Sequence, residues 1–244
     1  MPTLEIDPRL PADARALVRL VRDRFSCRGF LPDRIPRETI EAILTIAQGA
    51  ASWCNSQPWQ VIVTEAEETP RFRDALYAHA TNRDWGDQRQ KLEEPDFPFP
   101  SRYAGVYKER QRATGWALYE SVGVAYGDRE ASARQMLENF RAFGAPHIMI
   151  VTTEADLGVY GAIDCGAYVA HVMLAAQALG VATIAQAALA GVAPFVREWF
   201  AVPPQRQIVC GISFGRADPN HPANSFRTSR ASLDQVVRYV GGDT

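Results

Sequence analysis

Two stretches carry the residue types best suited to holding a polar ligand: Arg24-Phe25-Ser26-Cys27-Arg28 and Ser52-Trp53-Cys54-Asn55-Ser56-Gln57-Pro58-Trp59. In an extended backbone, residues at i, i+2 and i+4 point to one side, so Arg24, Ser26 and Arg28 can converge on a single anion. A solvated basic helix end, favourable to the helix dipole, would use the same residues. In the second stretch Ser52, Asn55 and Gln57 supply compact donors and acceptors, Pro58 fixes the backbone, and Trp53 and Trp59 offer flat apolar surface. That set suits a planar heterocycle with polar edges. It equally suits an ordinary turn before a strand.

Other chemistries find less support. Neither G-x-G-x-x-G nor G-x-x-x-x-G-K-[ST] occurs, so a nicotinamide would have to bind without a Rossmann fingerprint. Gly211-Ile212-Ser213-Phe214-Gly215 matches a G-x-S-x-G nucleophile elbow, but an elbow must turn straight into a helix. The chain continues instead into the proline-broken Asp218-Pro219-Asn220-His221-Pro222, which argues against a hydrolase. Glu93, Glu94 and Asp96 read as a solvated charge cluster among prolines. Cys27, Cys54, Cys165 and Cys210 are scattered, as are the histidines, so no metal site is expected, and reduced, mostly buried thiols are. A net charge of -2 gives no global field for nucleic acid or anionic lipid, and any bound anion must be held locally.

These residues must be positioned by regular elements. Ala14, Leu17, Val18 and Val21 form one helical stripe that should stop near Phe25, and Ile40, Ile43, Leu44 and Ala47 form a second after Pro36. β-Branched runs at Gln60 to Thr64, His147 to Thr152, Val181 to Ala185 and Gln207 to Phe214 predict strands. Asp164 to Leu179 is apolar or small on nearly every side, which predicts an all-round buried helix ending at Gly180. A further stripe holds Ala133, Met136, Leu137 and Phe140. Between them, residues 82–115 read as an irregular, proline-rich excursion, a lid or pocket wall in which Phe97, Phe99 and Tyr103 could face a substrate. With 244 residues, 47% of them apolar, the chain can bury a substantial core, and one domain over 1–244 is expected. The N-terminus lacks the pattern of a signal peptide and no apolar run of about 18 residues suggests a membrane span, so a soluble, cytoplasmic protein is expected.

Taken in order, these motifs resemble the FMN-dependent nitroreductase family. Its members carry Arg-x-Ser-x-Arg after the first helix, here Arg24, Ser26 and Arg28, then a turn ending Asn-x-Gln-Pro-Trp, here Asn55, Gln57, Pro58 and Trp59. The likeness continues through Leu179 to Ala187 and ends in Asn224-Ser225-Phe226-Arg227-Thr228-Ser229-Arg230, so it covers essentially the whole chain. Tyr119, Gly123, Asp128, Asn139 and Phe140, with the run Phe143-Gly144-Ala145-Pro146, resemble the branch that includes nitrobenzoate reductase-like proteins.

The resemblance implies an α+β fold: a central, mostly antiparallel sheet flanked by helices, two subunits intertwined, and FMN at each interface site. Carried over, Arg24, Ser26 and Arg230 would hold the phosphate, with Phe25 beside them, and Arg28 would lie near the flavin's pyrimidine edge. Ser52, Trp53, Cys54, Asn55 and Gln57 would approach the flavin from the partner subunit. Ala185, Gln186 and Ala187 would pass its other side, with a backbone N–H near Ala187 toward N5. Trp53 replaces the small residue common in that turn, so it would narrow the pocket, stack on substrate or pack in the interface. The implied activity is ping-pong reduction of a nitroaromatic, quinone or other electron-poor acceptor by NADH or NADPH, with no catalytic side chain required. A same-fold flavin reductase, enone reductase or dehalogenase, or a flavin-binding redox sensor without turnover, would share these motifs.

Overall fold

The computed structural model describes residues 7–82 and 95–241. Four strands, β1 (Gln60–Val63), β2 (His147–Glu154), β3 (Ala182–Gln186) and β4 (Arg206–Gly215), form one antiparallel sheet in the order β1-β2-β4-β3. Each coincides, within a few residues, with a predicted β-branched run. β2 is buried on both faces, as a central strand must be. Ile148 and Ile150 join one apolar cluster, Met149 and Val151 the other. On β4 the register shifts opposite Val151 and Thr152. That one-residue slip puts Ile208 and Ile212 on opposite faces, although their even spacing alone would place them together.

Helices cover both faces. On one side lie α2 (Arg37–Ala47) and α6 (Gly158–Ala178), meeting Met149, Val151, Ile212 and Phe214. On the other, α3 (Glu68–Thr81), α7 (Ala187–Ala190) and α8 (Ala193–Trp199) bury Phe72, Leu76, Leu189 and Val196. Truncating a residue such as Phe72 would cost about 3–5 kcal/mol. α1 (Ala12–Asp23) opens the chain, and α4 (Gly105–Ser121) and α5 (Arg129–Leu137) lie between α3 and β2 in sequence.

The predicted excursion is shorter than 82–115: helix resumes at Gly105. The run Lys108-Glu109-Arg110-Gln111-Arg112-Ala113 has high helix propensity but no apolar stripe, so periodicity misses it. Residues 83–94, including Glu93 and Glu94, lie outside the described residues. Asp96 is no solvated charge: its carboxylate takes two bonds from Arg197, at 2.8 and 2.7 Å, and another from the Ile208 amide.

α6 is not buried all round. Cys165, Tyr168, Val172 and Ala175 face the sheet, while Gly166, Ala170 and His171 within the predicted run, and Val159, Tyr160 and Ile163 before it, stand exposed. With its preceding turn, Ala155–Ala178 is long and apolar enough to cross a membrane by length and composition, a test that the core helix of a soluble protein also passes. Its sheet-facing side is nevertheless part of the core. It ends at Gly180, φ +72, where the Val181 amide bonds the Ala176 carbonyl and the Gly180 amide that of Gln177, the termination the sequence predicts. α1, by contrast, buries none of its residues, and Leu17 and Val21 of its stripe are exposed.

Candidate functional site

α1 stops because Arg24 turns extended, at φ -66 and ψ 130. The strip that follows runs beside β3: Ser26 bridges Thr183, and the Cys27 amide donates to the Thr183 carbonyl at 3.1 Å. Alternation then sends Cys27 into the core and leaves Arg24, Ser26 and Arg28 on the opposite side. They line a cavity of about 610 Å3. Met173 and Leu174 of α6 close one wall and Thr114 of α4 another. The C-terminal segment Phe226 to Arg230 completes it.

The cavity concentrates positive charge. Burial lowers the Arg24 pKa, and the Arg230 guanidinium lowers it further; burial does the same to Arg28. Among the described residues, no carboxylate lies within ion-pair distance of Arg24, Arg28, Arg227 or Arg230. The Arg227 guanidinium lies 4.0 Å from the centre of the Phe25 ring, and Arg28 lies 5.7 Å from that of Phe226. Such mutually repelling guanidinia, with an apolar wall opposite, form a receptor for an anion attached to an apolar body.

The second stretch lies elsewhere. Trp53–Asn55 is a short helical turn whose Cys54, Asn55 and neighbouring Gln57 all adopt left-handed φ, at 53°, 55° and 47°. Such conformations are strained for side-chain-bearing residues and persist only where surroundings impose them. Here Asp164 of α6 accepts the Trp53 amide on both carboxylate oxygens at 3.2 Å, Ser52 Oγ accepts the Gln57 amide at 2.9 Å, and Trp53 rests on Tyr160 with 4.5 Å between ring centres. Asp164 lies roughly 9 Å along the helix axis from Ala170, the residue of α6 nearest to it that lines the cavity, and no residue from Ser52 to Trp59 lines that cavity. Within one chain, therefore, the turn and the cavity do not meet. Cys54 is exposed, an exception to the expectation of buried thiols.

The loop after β3 is also outside the cavity lining. Ala185 and Ala187 are exposed, but the Gln186 side chain is buried: Nε2 donates to the Asn139 carbonyl at 2.9 Å, and Oε1 accepts from the Ser213 hydroxyl. Ser213 is thus a fully buried strand residue on a β4 that runs on to Gly215, with no elbow. Phe97 and Phe99 are half-buried beside Asp96, which is tied to Ile208; on β4 that lies roughly 20 Å from Phe214, the residue paired with Thr183. Tyr103 is exposed just before α4. Sequence reading did not single out Thr114, Met173 or Leu174 as lining. Thr114 sits on the unrecognised helix, and nothing in an evenly apolar α6 marks which of its residues face a cavity.

Residues 21–216 match the model of the Nitroreductase family. The chain is 34% identical to nitroreductase NfnB of Mycolicibacterium smegmatis over 98% of each chain. It is 33% identical to a 4-nitrobenzoate reductase of Nocardioides sp., over 96% of this chain and 93% of that one. The crystal structure of the FMN-dependent nitroreductase NfnB from Mycobacterium smegmatis in complex with NADPH superposes with a TM-score of 0.84, covering 93% of this chain and 99% of that one.

Proposed function

This chain belongs to the nitroreductase family, and from that premise we propose that it is an FMN-dependent oxidoreductase that uses NAD(P)H to reduce nitroaromatic compounds. The observation that carries this reading is the cluster of Arg24, Arg28 and Arg230, without a carboxylate partner among the described residues, in a cavity of about 610 Å3. Both size and charge fit a phosphorylated cofactor: ligand pockets span about 300–1,000 Å3. NADPH is the donor to try first, because it is the one bound in the solved relative.

Bound FMN would supply the hydride chemistry between nicotinamide and acceptor. The chain's own residues bind and orient. Arg24, Ser26 and Arg230 would hold the phosphate, with Phe25 packed beneath Arg227. Arg28, half-buried in the same cavity, would lie toward the pyrimidine edge, where its charge would favour the reduced form. Ala185, Ala187 and the backbone at Gln186, outside the cavity lining of the single chain, would border the other side of the cofactor, and the Gln186 side chain holds that stretch to Asn139.

The turn from Ser52 to Gln57 serves the partner's cofactor in a homodimer. Three exposed apolar surfaces support this: Leu17 and Val21 on α1, Val159, Tyr160 and Ile163 on α6, and Leu233, Val236, Tyr239 and Val240 on the C-terminal tail. So much apolar surface marks an interface. Its counterpart on a second copy would bring the turn to the flavin and cover the α6 face, which explains that face without a membrane. Four free cysteines suit the reducing cytoplasm.

The test is the absorbance spectrum of the purified protein, followed anaerobically. A flavin spectrum that bleaches with NADPH or NADH and returns on adding 4-nitrobenzoate supports the reading. A colourless protein that takes up no added FMN overturns it.

A further inference from the structure

We propose that Asn224 is a positioning residue for the phosphate end of the cavity, its buried carboxamide latching the segment that carries Arg227 and Arg230 onto the strip that carries Arg24, Ser26 and Arg28. This rests on the reading above that the arginine cluster receives the cofactor phosphate.

Asn224 ends the short helical turn Pro222–Asn224 and is buried. Its Oδ1 accepts the Arg28 amide at 2.7 Å, and its Nδ2 donates to the Gly29 carbonyl at 2.8 Å and the Asp218 carbonyl at 2.9 Å. One acceptor and two donors on one short side chain is what asparagine provides, and here all are used. The two segments are pressed together beside it: a Cβ on Gly29 would meet His221 Cγ at 2.1 Å. The Asp218 amide also donates to the Gly29 carbonyl at 2.9 Å.

Beyond Asn224 the attachments thin out. Arg227 stacks on Phe25 and bonds the Asn224 carbonyl at 2.8 Å. The side-chain bonds of Arg230 all go to Thr228 and Ser229 in its own segment. The distance between Arg230 and Arg24 therefore depends on where the segment is fastened. The two guanidinia repel, which disfavours their close approach where no anion lies between them. The carboxamide holds the two segments together against that repulsion. Asn224 does not line the cavity itself, so its effect on a ligand passes through the backbone of Arg28 and the segment after it.

Riboflavin, which lacks the phosphate, separates positioning from general stability. Dissociation constants of FMN and riboflavin are measured by flavin fluorescence on apoprotein of the full chain, for Asn224→Ala and the milder Asn224→Ser. Loss of the latch should weaken FMN about tenfold or more while riboflavin changes little, so the preference for FMN falls. Asn224→Ser retains a hydroxyl donor and should fall between, which also covers the case in which the alanine variant does not fold. Arg24→Ala and Arg230→Ala serve as controls and should lower the same preference. If the arginine variants lower it but the Asn224 variants weaken both flavins equally, or neither, the latch is overturned alone. If the arginine variants leave it unchanged, the phosphate assignment fails and the latch falls with it.

Discussion

Arg28 is fixed at its backbone by Asn224, while its guanidinium, bonded to the Ser26 carbonyl at 3.2 Å, remains without a carboxylate among the described residues. Its charge is therefore free to act on a ligand. Arg28→Ala should weaken FMN about tenfold and make the bound flavin harder to reduce, since a charged hydrogen bond contributes about 1.5–3 kcal/mol. A spectroelectrochemical titration reads the second effect, and an unchanged potential would remove Arg28 from the flavin's vicinity. Ser213 shows the opposite case, a residue whose motif suggests chemistry and whose burial denies it. Ser213→Ala should keep nitroreductase activity, show no change in hydrolysis of a nitrophenyl ester, and lose about 1–3 kcal/mol of stability because Gln186 Oε1 loses its donor. Melting curves and the two assays decide this.

Elements are locked to one another by a few buried polar contacts. His147, at the start of β2, accepts the Ile35 amide on Nε2 at 2.9 Å and donates from Nδ1 to the Thr64 carbonyl at 3.2 Å. It thereby ties the segment before α2 to the end of β1, and only the neutral ring can do so. Burial holds its pKa below the ordinary 6.5. A depressed histidine stabilises the fold above its unfolded pKa and gives up that stability as pH falls through its folded pKa. Melting temperature should therefore drop between about pH 7 and about pH 5, and His147→Gln should start lower but lose less over that interval. Equal acid slopes would show that other groups dominate.

At the scale of the whole molecule, the unburied stripes of α1 and α6 and the C-terminal tail leave apolar surface exposed on the single chain. Ile163→Asp places a charge on the exposed face of α6, touching neither the sheet nor the cavity. If two copies build the site, this variant should become monomeric and lose bound FMN together. Light scattering and the flavin absorbance ratio check it, and a monomer that retains FMN with full affinity would separate assembly from binding.

The sequence by itself determined what local physics encodes. Alternating β-branched runs marked all four strands, stripes marked α1, α2 and α5, Gly180 marked the end of α6, and Asp218 to Pro222 ruled out an elbow at Ser213. These signals have periods of two or 3.6 residues and are complete within a short window. It also brought out the arginines, because their types and alternation suit an anion whatever surrounds them. Only the tertiary structure decided that Arg24 and Arg230, from opposite ends of the chain, face one cavity, that the Ser52–Gln57 turn lies apart from it, and which face of α6 is free. Helix α4 was hidden because it lacks a stripe, and the burial of Gln186 because its partners, Asn139 and Ser213, are distant in sequence. Which segments meet is set by long-range pairing and by the bulge in β4, and neither leaves a local mark on the residues they bring together.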